Sequence, residues 1–288
     1  VLSGYLITRI LAEECTRSGG INFLHFYARR FLRLMPALWV MLAAYVVVFG
    51  FDEQVEPALL YVTNLVPTTG YLRHTWSLSV EEQFYLLWPL LLLLILCRPS
   101  PWRFVLTIIV VLVALRLAWL ASDLPRGHVY HSFESRADQL LIGGLLALAP
   151  TRWLQAAALR FVALPILIIT AVVFLGPDDS KSLLYLSLGM TLVALCAAWI
   201  ILAALAGGDA WVCRVLRFAP INYCGRISYG IYLWHFPMIA LAYQWHVNPL
   251  VAVIAVVPVA SLSFFLVEQP IRRMRRFLPA PGLLEAKP

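Results

Sequence analysis

The chain has 288 residues, of which 62% are hydrophobic and only 13% charged. Soluble domains carry about 25% charged and roughly 45–50% apolar residues, so a departure in both directions excludes a soluble core and makes the membrane span the natural unit of length. The formal charge of +7 does not point to nucleic acid, because no basic run lies on a soluble segment; in membrane proteins Lys and Arg collect in cytoplasmic loops.

The first residues, VLSGYLIT, are mostly apolar with no basic stretch ahead of them. They read as the exit half of a helix and not as a signal peptide. Long apolar runs then give eight candidate spans, at 34–51, 84–97, 103–121, 137–150, 157–175, 183–206, 227–243 and 249–267. A span needs ~20 apolar residues. The runs at 84–97 and 137–150 are short, and each is expected to extend back through a polar, buried N-terminal turn. The fold expected is all-α: a polytopic transmembrane helix bundle of eight full spans plus an N-terminal remnant. No internal repeat is visible, and the only linker-like segment is the Pro-rich tail after Phe277.

Alternating these spans puts 17 of the 22 Lys and Arg residues on one side. The other side holds 4, namely Arg73, Arg126, Arg136 and Lys181, and Arg116 lies within a span. The positive-inside rule then makes the C-terminus cytoplasmic and turns loops 52–83 and 122–136 outward.

Four segments carry chemistry. In NFLHFYARRFLRL, residues 22–34, apolar residues recur at helical spacing, so an amphipathic helix runs into a span. Its Arg29, Arg30 and Arg33 are either snorkelling anchors or a phosphate clamp built from forked donors. In HTWSLSVEEQFYLLWP, residues 74–89, Ser79 followed by Glu82 fits a capping box. Capping does not explain why Glu81 and Glu82 both open a membrane helix, where burying charge costs a few kcal/mol. His74 and Glu81, seven apart, share a face if the segment is helical. In SFESRADQLLIGGLLAL, residues 132–148, Arg136 and Asp138 open another span, where Arg136 either neutralises a carboxylate such as Glu81 or Glu82 in a structural ion pair or contacts substrate. In GRISYGIYLWHFP, residues 225–237, His235 sits mid-span, where a histidine is more often functional than idle. Gly230 and Pro237 are expected to loosen that helix around a cavity. The five cysteines contain no Cys-x-x-Cys pair, which argues against a zinc site or disulfide framework.

VLSGYLITRIL, FYARRFLRLMPALW, HTWSLSVEEQFYLLWP, SRADQLLIGGLLA, GRISYGIYLWHFP and VEQPIRRMRR occur in this order, from residue 1 to about 277. Together they resemble the acyltransferase 3 family of membrane O-acyltransferases. The resemblance implies a bundle of about ten transmembrane helices, with residues 1–277 as the acyltransferase domain and 278–288 as a cytoplasmic tail. It implies a bacterial inner-membrane location. The donor it implies is acyl-CoA, usually acetyl-CoA, with no permanently bound cofactor and no metal. The acceptor is a hydroxyl of a cell-surface carbohydrate, glycolipid or glycosylated metabolite, and membrane lipid is a further partner. By the same resemblance Arg29, Arg30 and Arg33 serve CoA, and His74, Trp76, Ser77, Glu81 and Glu82 belong to the active region. Ser3, Gly4, Arg136, Asp138, Tyr232 and His235 match further motifs. The reaction needs a general base, which favours His, and donors for the carbonyl oxygen. His74 and His235 are the candidates here, with Glu81 or Glu82 orienting a His or accepting its charge.

The resemblance also implies a first helix bearing an Arg and a His on which acyl transfer depends, before a glycine–valine–aspartate–phenylalanine–phenylalanine lead-in. VLSG follows that lead-in. The expectation is therefore a fragment or truncated product, incomplete as a catalyst. Two other classes stay open. A transporter would carry intramembrane charge and broken helices, perhaps with paired repeats; a non-catalytic membrane scaffold would not bind CoA.

Overall fold

The structure is a computed structural model that describes residues 1–66, 70–174, 182–208 and 210–274. The helices, in order, are α1 (Leu2–Ser18), α2 (Phe23–Phe49), α3 (Val55–Leu59), α4 (Trp76–Leu96), α5 (Pro101–Leu120), α6 (Arg126–His131), α7 (Phe133–Leu148) and α8 (Gln155–Arg160). They continue with α9 (Ala163–Phe174), α10 (Met190–Ala206), α11 (Trp211–Arg217), α12 (Ala219–Arg226), α13 (Ser228–Gln244), α14 (Pro249–Ser263) and α15 (Gln269–Met274). π-helical turns at Tyr185–Gly189 and Phe264–Glu268 lead into α10 and out of α14.

Among the described residues, five helical stretches are long and apolar enough to cross a membrane: Phe23–Phe49, Arg73–Leu96, Pro101–Leu120, Tyr185–Ala206 and Pro249–Met274. A sixth is possible if Arg126–Leu148 and Arg152–Arg160, bent by 99°, count as one span. Val47, Leu94 and Ile254 are 85%, 68% and 74% exposed. Apolar residues this exposed belong against lipid, so the protein is an all-α polytopic membrane protein.

Local chemistry sets the helix ends. The Asn22 side chain caps α2 by accepting from the His25 amide at 2.9 Å, and Asn248 does the same for Leu250 at the start of α14. Pro101 and Pro249 occupy first-turn positions, where a missing N–H costs nothing. Gly19 ends α1 at φ 75°, the left-handed conformation that glycine adopts freely. The two short runs do extend backwards, with α4 starting at Trp76 and α7 at Phe133. The run at 157–175 is broken into α8 and α9. Pro165 then stands in the first turn of the second piece, where proline is tolerated.

Two compact units divide the chain, with boundaries after Ile21, within α4 after Ser79 and within α11 after Leu216. Unit one holds residues 1–21 and 80–216. Its centre is α7, which packs against α1, α5 and α10. The α1–α7 crossing is close because both helices place glycine there. A Cβ on Gly4 would stand 1.9 Å from the Leu140 carbonyl oxygen, and one on Gly143 1.9 Å from the Val1 carbonyl oxygen. Beside this crossing the Trp88 indole donates to Thr8 Oγ1 at 2.7 Å.

Unit two holds residues 22–79 and the chain from 217 onward. Its core joins Leu38, Met41 and Tyr45 of α2 to Val55, Leu72, Leu78 and Leu233. Gly230 of α13 meets Ala260 of α14, where an added Cβ would lie 3.2 Å from the alanine. Ile227 and Phe264 close the same interface.

Candidate functional site

In unit two the chain reaches α4 through a short 3-10 turn, Arg73–Thr75. The turn is held by Thr75, whose hydroxyl donates to the Leu72 carbonyl at 2.8 Å and pairs with Thr63 at 2.9 Å. Ser79 does not cap the helix, because α4 begins three residues earlier. Its hydroxyl instead donates to the Thr75 carbonyl and accepts from the Thr63 amide, both at 3.2 Å. The expected capping box is therefore replaced by a clamp on the preceding loop.

This clamp buries His74, which is 6% exposed. Its ring stacks on Phe236 at 4.8 Å and meets His235 edge-on at 5.1 Å. Neither ring nitrogen makes a well-formed hydrogen bond among the described residues, although the backbone of Tyr71 and of Leu233 lies close to the ring. Arg73, on the turn before it, lies over the same Phe236 ring at 5.5 Å. The Tyr232 hydroxyl donates to the His74 carbonyl and pairs with Ser77 Oγ at 2.6 Å. His235 Nδ1 lies 2.6 Å from the Tyr232 carbonyl oxygen. A carbonyl only accepts, so Nδ1 carries the proton and Nε2 of the neutral ring keeps its lone pair. Tyr232 and His235 also line a cavity of about 710 Å³ between α12, α13 and α14, with Cys224, Ile239, Val253 and Val256 among its other walls.

In unit one the Glu81 carboxylate is gripped at both oxygens. Ser3 Oγ donates to one at 3.1 Å and the Tyr85 hydroxyl to the other at 3.1 Å. Glu82 is half-buried on the same helix. Asp138 is fully buried and pairs with Arg116 at 3.1 Å. Thr191 donates to the same Asp138 oxygen at 2.6 Å, and Arg116 donates to Thr191 and to the carbonyls of Ser135 and Ser187. Ser187 belongs to the π-helical turn before α10.

The family described as "Acyltransferase domain" matches residues 1–268. The chain belongs to that acyltransferase family. It is 31% identical over 315 residues to the peptidoglycan O-acetyltransferase OatA of Listeria monocytogenes, covering 95% of this chain and 50% of that protein. It is 31% identical over 320 residues to the putative peptidoglycan O-acetyltransferase YrhL of Bacillus subtilis, covering 94% and 49%. To the O-acetyltransferase OatA of Staphylococcus aureus it is 28% identical over 319 residues, covering 95% and 51%. The chain thus spans about half the length of the curated relatives it matches. No solved structure matches it.

The residues singled out in this acyltransferase-family sequence fall into separate sets. His74, Ser77, Tyr232 and His235 form one constellation in unit two, with Trp76 half-buried at the start of α4. Ser3 and Glu81 form a second, in unit one. Gly4 is a helix-crossing residue. Arg136 lies over the Tyr130 ring at 4.3 Å and donates to the Tyr130 carbonyl. Arg29 and Arg30 are half-buried and Arg33 is exposed, all on α2.

Four residues escaped the sequence reading. Arg116 was visible as the one basic residue inside a span, which demands a buried partner. Tyr85 stands one helical turn from Glu81, a spacing at which side chains meet. Phe236 gave no sign in an apolar run. Glu268 ends the π-helical turn within VEQPIRRMRR; it is 7% exposed, its Oε1 has no hydrogen-bond partner among the described residues, and Arg272 and Arg33 lie within electrostatic reach. Among the described residues no group of His, Cys, Asp and Glu could hold a metal ion.

Proposed function

We propose that this protein is a membrane-bound O-acyltransferase that moves an acyl group, in the first instance acetyl, from acyl-CoA to a hydroxyl of a cell-surface carbohydrate or glycolipid. The observation that carries this reading is the similarity, along almost the whole chain, to bacterial peptidoglycan O-acetyltransferases. Residues 1–277 form the acyltransferase domain. Its bundle has eight full spans, the shorter α7, α9 and α13 helices included, after an N-terminal remnant. The membrane is the bacterial plasma membrane and the C-terminus is cytoplasmic. Residues 278–288 form a cytoplasmic tail, which lies outside the described residues.

In the reaction the acceptor oxygen attacks the thioester carbonyl and its proton passes to a base. The carbon–sulfur bond breaks and CoA leaves as the thiol. His235 suits the base: its Nδ1–H is committed to the Tyr232 carbonyl, which leaves Nε2 as acceptor. Ser77 and Tyr232 supply hydroxyls beside it, and His74 is its aromatic neighbour. Arg29, Arg30 and Arg33 offer forked donors for the CoA phosphates. Glu81 accepts from Ser3 and Tyr85, which hold its side chain in place. Trp76, Glu82, Arg136, Asp138 and Gly4 support the two constellations.

The test supplies acetyl-CoA labelled in the acetyl group to membranes carrying the full protein, with cell-wall polysaccharide as acceptor. Alkali-labile label on the polysaccharide is expected, and it should fall about 100-fold or more in His235→Gln. Folded protein that binds CoA and transfers no label would overturn the reading.

A further inference from the structure

The cavity beside His235 has a second property, independent of acyl transfer. It is an open groove whose walls are apolar apart from Ser228, Tyr232, His235 and Cys224. Along α13 it runs from Ser228 to Ile239, which at 1.5 Å per residue is about 16 Å. The hydrocarbon core of a bilayer is ~30 Å thick, so the groove matches one leaflet. Its volume falls within the ~300–1,000 Å³ of ligand cavities.

The Ser228 end of the groove is basic. Arg226 stands between two wall residues, Gly225 and Ser228, and is exposed. Its guanidinium lies 5.9 Å from the centre of the Phe264 ring. The exposed Arg272 lies 6.0 Å from the centre of the same ring. Two guanidiniums thus converge on one aromatic side chain. Glu268 is within electrostatic reach of Arg272, but among the described residues no carboxylate forms a salt bridge with either arginine. Two exposed guanidiniums at this end of the groove suit a phosphate, which forked arginine donors hold well. Phe264 packs with Ile227 and Ile231, and Ile231 is itself a groove wall. The basic end and the apolar walls are therefore parts of one packed surface.

We propose that this groove is a specific site for one anionic phospholipid of the surrounding bilayer, with its phosphate on Arg226 and Arg272 and one acyl chain laid along α13 and α14. The length of one leaflet and the charge at one end select this occupant over a soluble anion, which has no use for the apolar walls, and over an uncharged apolar chain, which has no use for the arginines. The bound chain passes Tyr232 and His235 and shields the groove-facing side of both from water.

The test uses the full protein in nanodiscs doped with phosphatidylglycerol that carries a photoactivatable diazirine in its acyl chain. After irradiation the labelled peptides are mapped. Label is expected at Ile231, Ile239, Val253 or Val256. Unlabelled phosphatidylglycerol should compete for it, and phosphatidylcholine of the same chain length should not. That comparison needs no substitution and stands even if a variant fails to fold. In Arg226→Gln with Arg272→Gln, label at these positions should fall at least about tenfold. Label at Val251, an exposed α14 residue outside the groove, should be unchanged. Equal competition by the two lipids, or groove labelling no stronger than at Val251 and indifferent to the arginines, would mean ordinary boundary lipid and would overturn the proposal. So would competition by acetyl-CoA or by glycerol phosphate alone, since the site would then belong to a soluble ligand.

Discussion

Arg116 and Asp138 form a 3.1 Å salt bridge in which both side chains are fully buried. The pair ties α5 to α7, and through Thr191 and the Ser187 carbonyl it ties both to the helix that contains α10. Breaking a buried pair from one side costs about 3–5 kcal/mol, because the remaining charge is uncompensated. Arg116→Met or Asp138→Leu alone should sharply reduce folded protein and lower the melting temperature in detergent. The double variant should recover much of the loss. A double variant as unstable as the singles would mean that the hydrogen bonds to Ser135, Ser187 and Thr191, and not the charge pairing, hold the three helices.

The α1–α7 crossing leaves no room for a side chain. At Gly4 a methyl group would meet backbone, which cannot swing aside as a flexible side chain can. Gly4→Ala should therefore destabilise by about 1–3 kcal/mol, the usual cost of overpacking. Gly20→Ala is the control, since nothing stands within 4 Å of its Cβ position. Thermal melts of both variants decide the matter, and equal melting temperatures would show that the two helices can separate without cost.

Tyr232 touches three parts of the unit-two constellation. Its hydroxyl pairs with Ser77 and donates to the His74 carbonyl, while its own carbonyl fixes the His235 ring. Tyr232→Phe removes the first two contacts and keeps the third. Acetyl transfer should fall by about tenfold, in line with one or two lost neutral hydrogen bonds of ~1 kcal/mol each. His235→Gln should lose about 100-fold or more. If Tyr232→Phe is the more damaging of the two, the hydroxyl and not the imidazole carries the chemistry.

Arg29 and Arg33 are four residues apart on α2, so they project from one face. Replacing both with Ala should raise the dissociation constant for CoA at least tenfold. Each charged hydrogen bond to phosphate is worth about 1.5–3 kcal/mol. Protein level should change little. The opposite pattern, unchanged binding with poor membrane insertion, would assign these arginines to interfacial anchoring.

The distribution of Lys and Arg predicts a cytoplasmic C-terminus. A reporter active only in the cytoplasm should be active when fused after Pro288, and one active only outside should be active when placed in loop 122–136. The reverse result would invert the sidedness of the CoA and acceptor faces.

Much of this architecture is written locally. The apolar runs announce their helices because hydropathy adds up along the chain, and Asn22, Asn248, Pro101 and Pro249 mark helix starts through contacts within one turn. His235 stood out for a similar reason, as a polar ring in an apolar stretch, and His74 for its place at the mouth of a span seven residues before Glu81. Their edge-to-face meeting, by contrast, joins residues more than 150 positions apart, and no spacing along the chain encodes it.

The same holds for the choice of partners. Asp138 had several arginines available by composition, Arg136 two residues away among them, yet it pairs with Arg116 on another helix. The reason is geometric. Arg136 is drawn to the Tyr130 ring and carbonyl, and only the packing of α5 against α7 brings the other guanidinium to the carboxylate. Ser3 of α1 and Glu81 of α4 likewise meet across 78 positions, a pairing that no spacing along the chain encodes. Composition and periodicity decided that this chain would be a helical membrane protein with charge inside it. Tertiary packing alone decided which buried groups satisfy one another, because desolvated polar groups are paired by where helices cross and not by where residues stand in the sequence.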